Sequence, residues 1–203
     1  MYYTKGNYIN GTWKQSNGEV FDVISPITDT TIWKGNNSLA EDVCECVNSA
    51  EEALYSWAAL SFDERIAYLK RFVELVNDNI DMLAESISAE IGKPLWESKT
   101  EVKAIVGKLE PSIAAYKERN REVVKEMASG AVSRTHYKPI GVVAVIGPYN
   151  FPIHMANGHI IPALISGNTV IFKPSEKGAM TAERIIELWD KASLPKGVIN
   201  MIQ

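Results

Sequence analysis

Cysteine is scarce in this chain, with two residues, and histidine nearly so, with three. Cys44 and Cys46 stand two apart, which puts them on different faces of a helix. No second pair exists, so neither a disulfide framework nor a zinc site is expected, and a reducing compartment is favoured. His154 and His159 are five apart and no Glu follows His154, which is not the pairing of a zinc helix. A metal site is therefore not expected, and each histidine reads first as a packed or surface residue. No apolar run approaches membrane-spanning length. The start, Met1-Tyr-Tyr-Thr-Lys5, lacks the basic-then-apolar order of a signal peptide. The expected location is the cytoplasm. An excess of positive charge is also missing, since the net charge is -4, and neither nucleic acid nor an anionic membrane is expected as partner. Repeats, low-complexity tracts and a Gly-x-Gly-x-x-Gly fingerprint are all absent, so the usual pyrophosphate cradle is not here. With 46% hydrophobic and 23% charged residues in 203, the chain has the makings of one sizeable core, or of one domain with an appendage.

What is present begins with Gly141-Val-Val-Ala-Val-Ile-Gly147-Pro148-Tyr149-Asn150-Phe151-Pro152. The apolar run reads as a strand buried on both faces of a parallel sheet. Gly147 and Pro148 stop it and leave Asn150 just past its carboxyl end, where open α/β sheets bind ligands. From Pro139 onward the pattern is strand, helix, strand, helix, strand, with strands over 141–146, 169–172 and 198–202. One helix starts at Pro152 and stops at Gly167-Asn168, and another runs from about 179 to 194. This βαβαβ order is half of a Rossmann-like, dinucleotide-binding α/β fold. The last strand ends the chain at Gln203 with an unpaired edge, which a continuation of the sequence or a partner is expected to cover.

The preceding part is helical. Near the start, Tyr8-Ile-Asn10-Gly11-Thr-Trp13 reads as a small hairpin, followed by loop chemistry around Ser25-Pro26 and Gly35-Asn36-Asn37. Ser38 with Glu41 and Ser61 with Glu64 read as capping boxes that open two helices. The first carries Val43, Val47, Ala50, Leu54 and Trp57 on one face. The second carries Ile66, Leu69, Val73 and Val76. A third, with Ile80, Leu83 and Ile87, stops at Gly92-Lys93-Pro94, and Pro94 starts a fourth. Pro111 lies inside the fourth apolar stripe, which should kink or break there. Residues 122–127 and 131–137 flank Ala128-Ser-Gly130 as a second, polar hairpin that projects from the body and invites pairing with another chain.

Three groups invite chemistry. Asn150 has two donors and one acceptor, so it suits a carbonyl oxygen becoming an oxyanion; an Asn here equally suits a helix cap. Lys173 and Glu176 follow the second strand, where a ribose hydroxyl pair is read. Glu176 there would repel a 2′-phosphate and favour NAD over NADP, although two such charges also make an ordinary solvated pair. His154, one turn beyond Asn150, is placed to face the same cleft.

Gly147-Pro-Tyr-Asn-Phe-Pro152 together with Gly167-Asn-Thr-Val-Ile-Phe-Lys-Pro-Ser-Glu176 resembles the NAD(P)-dependent aldehyde dehydrogenase superfamily, and Glu90-Ile-Gly-Lys-Pro94 resembles its helical region. The longer run from Tyr149 to Leu164 is most similar to members that oxidise an acidic semialdehyde in arginine breakdown. The resemblance spans the chain and matches only the N-terminal portion of such an enzyme. It implies that Asn150 holds the oxyanion and that Ile146, Pro148, Tyr149, Asn150, Lys173 and Glu176 contact NAD. It also implies that Phe151, His154 and Met155 line the substrate tunnel and that Gly158 widens it. Residues 1–119 and 140–203 correspond to an incomplete dinucleotide-binding domain. Residues 120–139 correspond to the arm through which the family forms homo-oligomers, dimers or tetramers. The nucleophilic Cys, the general-base Glu and the rest of the catalytic domain fall beyond Gln203, so this chain alone is expected not to turn over. An acidic substrate calls for cations in the tunnel, for which Lys108 and His154 are the candidates. The competing expectation is a non-catalytic dinucleotide-binding or oligomerisation module.

Overall fold

The structure, a computed structural model, describes residues 2–203 and opens with five short strands. They are β1 (Tyr2–Tyr3), β2 (Asn7–Ile9), β3 (Thr12–Lys14), β4 (Val20–Ile24) and β5 (Thr31–Asn36). Asn10 and Gly11 turn β2 into β3 with φ of 52° and 72°, the positive values a two-residue hairpin requires. Around the loop at Ser25-Pro26, β4 and β5 form with β1 a second sheet that the sequence did not show, ordered β1-β5-β4, and Gly35-Asn36, read above as loop, lies in β5. The strands of this sheet are short and partly exposed, which left too little apolar alternation to read.

Five helices follow: α1 (Ala40–Ala59), α2 (Phe62–Asp78), α3 (Ile80–Ile91), α4 (Leu95–Val106) and α5 (Leu109–Arg119). Ser61 and Glu64 cap α2 reciprocally as expected. The box expected at Ser38 does not form. The Leu39 N–H donates to Asp42 at 2.7 Å, while the Ser38 hydroxyl is spent on Asn7. The buried face of α1 is also rotated from the expected one: Cys46, Ser49, Ala50, Ala53 and Trp57 are inside and Val43 is exposed. Pro94 caps α4 rather than starting it. The chain breaks at Gly107-Lys108, four and three residues before Pro111, because a proline ring clashes with the carbonyl four positions earlier.

Next comes the hairpin of β6 (Val123–Glu126) and β7 (Val132–Thr135), nearly all of it exposed. The remainder is β8 (Val142–Ile146), α6 (His154–Ile165), β9 (Thr169–Lys173), α7 (Ala179–Lys191) and β10 (Ile199–Met201). β10, β9 and β8 pair in parallel. The edge of β10 expected to be bare is covered by the chain's own β2, which pairs with it antiparallel to complete the order β3-β2-β10-β9-β8. β8, by contrast, is not buried on both faces. It is the edge strand, and the face carrying Ala144 and Ile146 is exposed; the doubly buried strand is β9.

Alternation along β9 sorts the layers. Val170 and Phe172 point into the main core with α6 and α7, where the Phe72 and Trp189 rings stack with centroids 3.4 Å apart. Ile171 points to the opposite face, against Cys46 and Ala50 of α1. The result is a mixed α/β fold, a Rossmann-like parallel sheet with helices on both faces. The helices α2 to α5 pack outside α6 and α7. No helix of the described residues is long and apolar enough to cross a membrane.

Candidate functional site

The parallel ladder ends at Ile146 and Lys173, and the Gly147 N–H donates to the Lys173 carbonyl at 2.9 Å. A Cβ at Gly147 would lie 3.0 Å from the buried Phe172 ring, so the chain leaves the strand in close contact with the core. Pro152 is buried under the turn that starts α7, where a side chain on Gly178 would meet it at 2.8 Å. The turn carrying Asn150 is thus held at both ends by packing.

Asn150 itself is exposed and has no hydrogen-bond partner among the described residues. It does not cap α6, whose cap position is Ile153 and which has no side-chain cap. The capping alternative is excluded. Its neighbours diverge. Tyr149 lines a cavity of about 470 Å³ with Glu90, Ile91, Glu176, Lys177 and residues of β4. The Lys177 ammonium lies 5.2 Å from the Tyr149 ring centroid. Phe151 turns to the other side, with the Lys93 ammonium 3.7 Å from its ring centroid and His154 edge-on at 5.9 Å. Asn150 therefore stands between two residues with separate surroundings. Ile146 is exposed on the bare side of β8, Pro148 is half-buried, and Met155 is exposed at the start of α6.

Lys173 and Glu176 sit together where β9 ends, but make no ion pair. The Lys173 ammonium donates to the Pro174 carbonyl at 2.8 Å. Glu176 is held below the usual carboxylate range by its own backbone N–H, then by the Ser175 hydroxyl and the Lys173 and Lys177 charges. It is exposed, ionised and free to accept from hydroxyls at the rim of the Tyr149 cavity. A ribose with two adjacent hydroxyls fits this donor and acceptor set.

Two buried carboxylates to which sequence reading gave no role anchor the segments around the Asn150 turn. Glu101, buried on α4, pairs with Lys93 at 2.7 Å and accepts the His154 N–H at 3.4 Å. Burial raises its pKa against the opposing Lys93 interactions. Glu90, at the end of α3, accepts the N–H groups of Met180 and Thr181 at 2.7 and 2.8 Å, so a carboxylate from another helix caps α7. Burial pushes it up to about 7. A polar residue inside an amphipathic pattern looks solvated until its partner is placed, which hid these roles. His154 is half-buried and kept neutral by burial, then by the charges of Lys108 and Lys93. Its Nδ1 is buried without a partner. The space beside Gly158, expected to be open, is taken by Lys108. A Cβ there would lie 3.2 Å from its Nζ.

These motifs have counterparts in known proteins. The profile described as "Aldehyde dehydrogenase family" matches residues 13–203. N-succinylglutamate 5-semialdehyde dehydrogenase of Legionella pneumophila (strain Corby) is 48% identical over 200 residues, covering 98% of this chain and 40% of the relative. The protein of the same description from Acinetobacter baylyi is 45% identical over 196 residues, covering 97% and 40%. Among solved structures, the aldehyde dehydrogenase from Bartonella henselae superposes with a TM-score of 0.92 at 30% identity, over 100% of this chain and 43% of that one. The NADP-dependent glyceraldehyde-3-phosphate dehydrogenase from Bacillus halodurans, complexed with NADP, superposes at 0.91 with 25% identity, over 98% and 43%. The chain thus spans 40% of the length of the curated relatives it matches.

Proposed function

The chain belongs to the aldehyde dehydrogenase family, and on that footing we propose that it is the N-terminal part of an NAD-dependent enzyme oxidising a semialdehyde to a carboxylate. The substrate we propose is N-succinylglutamate 5-semialdehyde, as in the names of the relatives at 45–48% identity. The product is then N-succinylglutamate, in arginine breakdown in the cytoplasm. The observation that carries the reading is the unspent amide of Asn150 on a packed turn at the carboxyl end of β8.

Asn150 would donate to the aldehyde oxygen as negative charge builds on it. A fixed donor at that point lowers the barrier by on the order of 3 kcal/mol, because no solvent need reorganise. Ile146, Pro148 and Tyr149 would form one wall of the cofactor site. Lys173 and Glu176 would hold the adenosine ribose, with Glu176 opposing a 2′-phosphate and so favouring NAD over NADP. Bound nicotinamide supplies the hydride acceptor. Phe151, His154 and Met155 would line the aldehyde's approach. Neither Cys44 nor Cys46 is the nucleophile in this reading. Cys44 is exposed on α1, and Cys46 is buried on the face of the sheet away from the main core, with its thiol pushed up to about 12 by burial. The β6–β7 hairpin, with exposed Val124 and Val132, would serve as the arm of a homo-oligomer.

The test is to express the natural reading frame that carries this chain and to follow NADH formation with N-succinylglutamate 5-semialdehyde. Turnover with NAD supports the proposal. Good activity only on an unrelated aldehyde would replace the substrate and keep the class. A reading frame that stops at Gln203 and yields a protein without turnover would leave a dinucleotide-binding or oligomerisation module instead.

A further inference from the structure

Lys108 is an electrostatically uncomfortable residue. It occupies the break between α4 and α5, at the cap position of α5, where the helix dipole disfavours a cation. Its charge also bears on His154, as does that of Lys93. Among the described residues Lys108 has no carboxylate partner, whereas Lys93 is neutralised by Glu101. The Lys108 ammonium sits beside α6. It lies against Gly158, where a Cβ would be 3.2 Å from Nζ and 3.3 Å from Cε.

The surroundings form a receptor. A groove of about 490 Å³ runs between the start of α5 and α6 and is lined by Lys108, Ser112, Gly158 and Pro162 among others. His154, Gly158 and Pro162 follow one another at four-residue spacing, so they share one face of α6. That face leads back to Phe151 and the Asn150 turn. Ser112 contributes a hydroxyl and the prolines apolar walls, with His154 one turn before Gly158 on the same helix face. The groove offers one unpaired positive charge and no opposing carboxylate on its lining.

We propose that Lys108, seated against Gly158 with Ser112 beside it, binds a carboxylate of an anionic aldehyde substrate and so selects acidic semialdehydes over neutral ones. This rests on the aldehyde dehydrogenase reading above and specifies the part of the site that reads the far end of the substrate. The rise from His154 to Gly158 is about 6 Å, which sets the carboxylate subsite away from the reacting end.

The experiment uses the full-length protein that carries this chain. The kinetic constants of the wild type, Lys108→Met and Lys108→Arg are compared on N-succinylglutamate 5-semialdehyde, succinic semialdehyde and butanal, the last matching succinic semialdehyde in carbon count without its charge. Lys108→Met is expected to raise KM for the acidic substrates about 10- to 100-fold, the worth of one charge-assisted hydrogen bond. The shift for butanal should be at least five-fold smaller than that, with kcat far less affected than KM, on the order of the split expected for lost binding. Lys108→Arg should restore most of the loss, which a purely structural role at the helix break would not require. Equal shifts for acidic and neutral aldehydes, or none, would overturn the role of Lys108 while leaving the enzyme class intact. A wild type that turns over butanal as well as the acidic substrates would overturn the inference through its premise. A wild type with no activity on any of the three would instead overturn the functional reading.

Discussion

The ammonium of Lys93 lies 3.7 Å from the centroid of the Phe151 ring. A residue from the stop between α3 and α4 thereby steadies the residue next to Asn150, and the same ammonium neutralises buried Glu101 at 2.7 Å. Lys93→Met removes both contacts and leaves a side chain that is 1% exposed without its counter-charge. The expected cost is about 3–5 kcal/mol, the range for breaking a buried pair. Burial already raises the pKa of Glu101, and losing Lys93 raises it further. The folded variant therefore binds a proton that the unfolded chain releases, and its stability falls as pH rises. Thermal denaturation should show the gap to the wild type widening from pH 5 to pH 8; a gap independent of pH would count against the pair.

Glu90 offers a second pH test. Its folded pKa of about 7 stands above the ordinary carboxylate value. Its favourable contribution is complete below the unfolded pKa and is lost as pH rises through about 7. Glu90→Gln cannot titrate, so the wild type should lose stability relative to it between pH 5 and pH 8, by on the order of 2–3 kcal/mol. Chemical denaturation at the two pH values measures this. At pH 5, where Glu90 is protonated, the variant should match the wild type to within about 1 kcal/mol, because the neutral acid and the amide each present one carbonyl acceptor to the N–H groups of Met180 and Thr181.

Asn150→Ala should separate catalysis from stability. The side chain is exposed and bonds to nothing among the described residues, so unfolding should shift by no more than about 0.5 kcal/mol. In the full-length protein kcat should fall about 100- to 1,000-fold. A large loss of stability, or unchanged kcat, would remove Asn150 from the oxyanion role.

Glu176→Gln tests the cofactor preference. Removing the charge weakens hydrogen bonds to a ribose and relieves repulsion of a 2′-phosphate. KM for NAD should rise about tenfold and KM for NADP should fall. Steady-state kinetics with both cofactors decide it, and parallel changes would argue against Glu176 as the discriminator.

The parts legible in the sequence share a property: their signals are local. Asn10-Gly11 specifies a turn through its own backbone preferences, Ser61 and Glu64 cap each other across one helical turn, and Pro111 breaks a helix by a clash four residues away. The βαβαβ order and the turn at Asn150 were visible for the same reason. The misread parts depend on distant partners. Ser38 faces Asn7 rather than its own helix. The strands β4 and β5 exist because they pair with each other and pack Val23 and Trp33 against Ala179 and Met180.

By itself, then, the sequence determined where the chain turns, which stretches are helix or parallel strand, and that a lone carboxamide follows a strand end. These follow from dihedral limits and apolar period. Tertiary structure alone decided that β2 covers β10, that β8 keeps a bare edge, that Glu90 caps a helix ninety residues away, and that Lys108 rests on Gly158. Each of these depends on which solvated-looking group meets which other one once the core has closed, and burial, not residue type, sets that outcome.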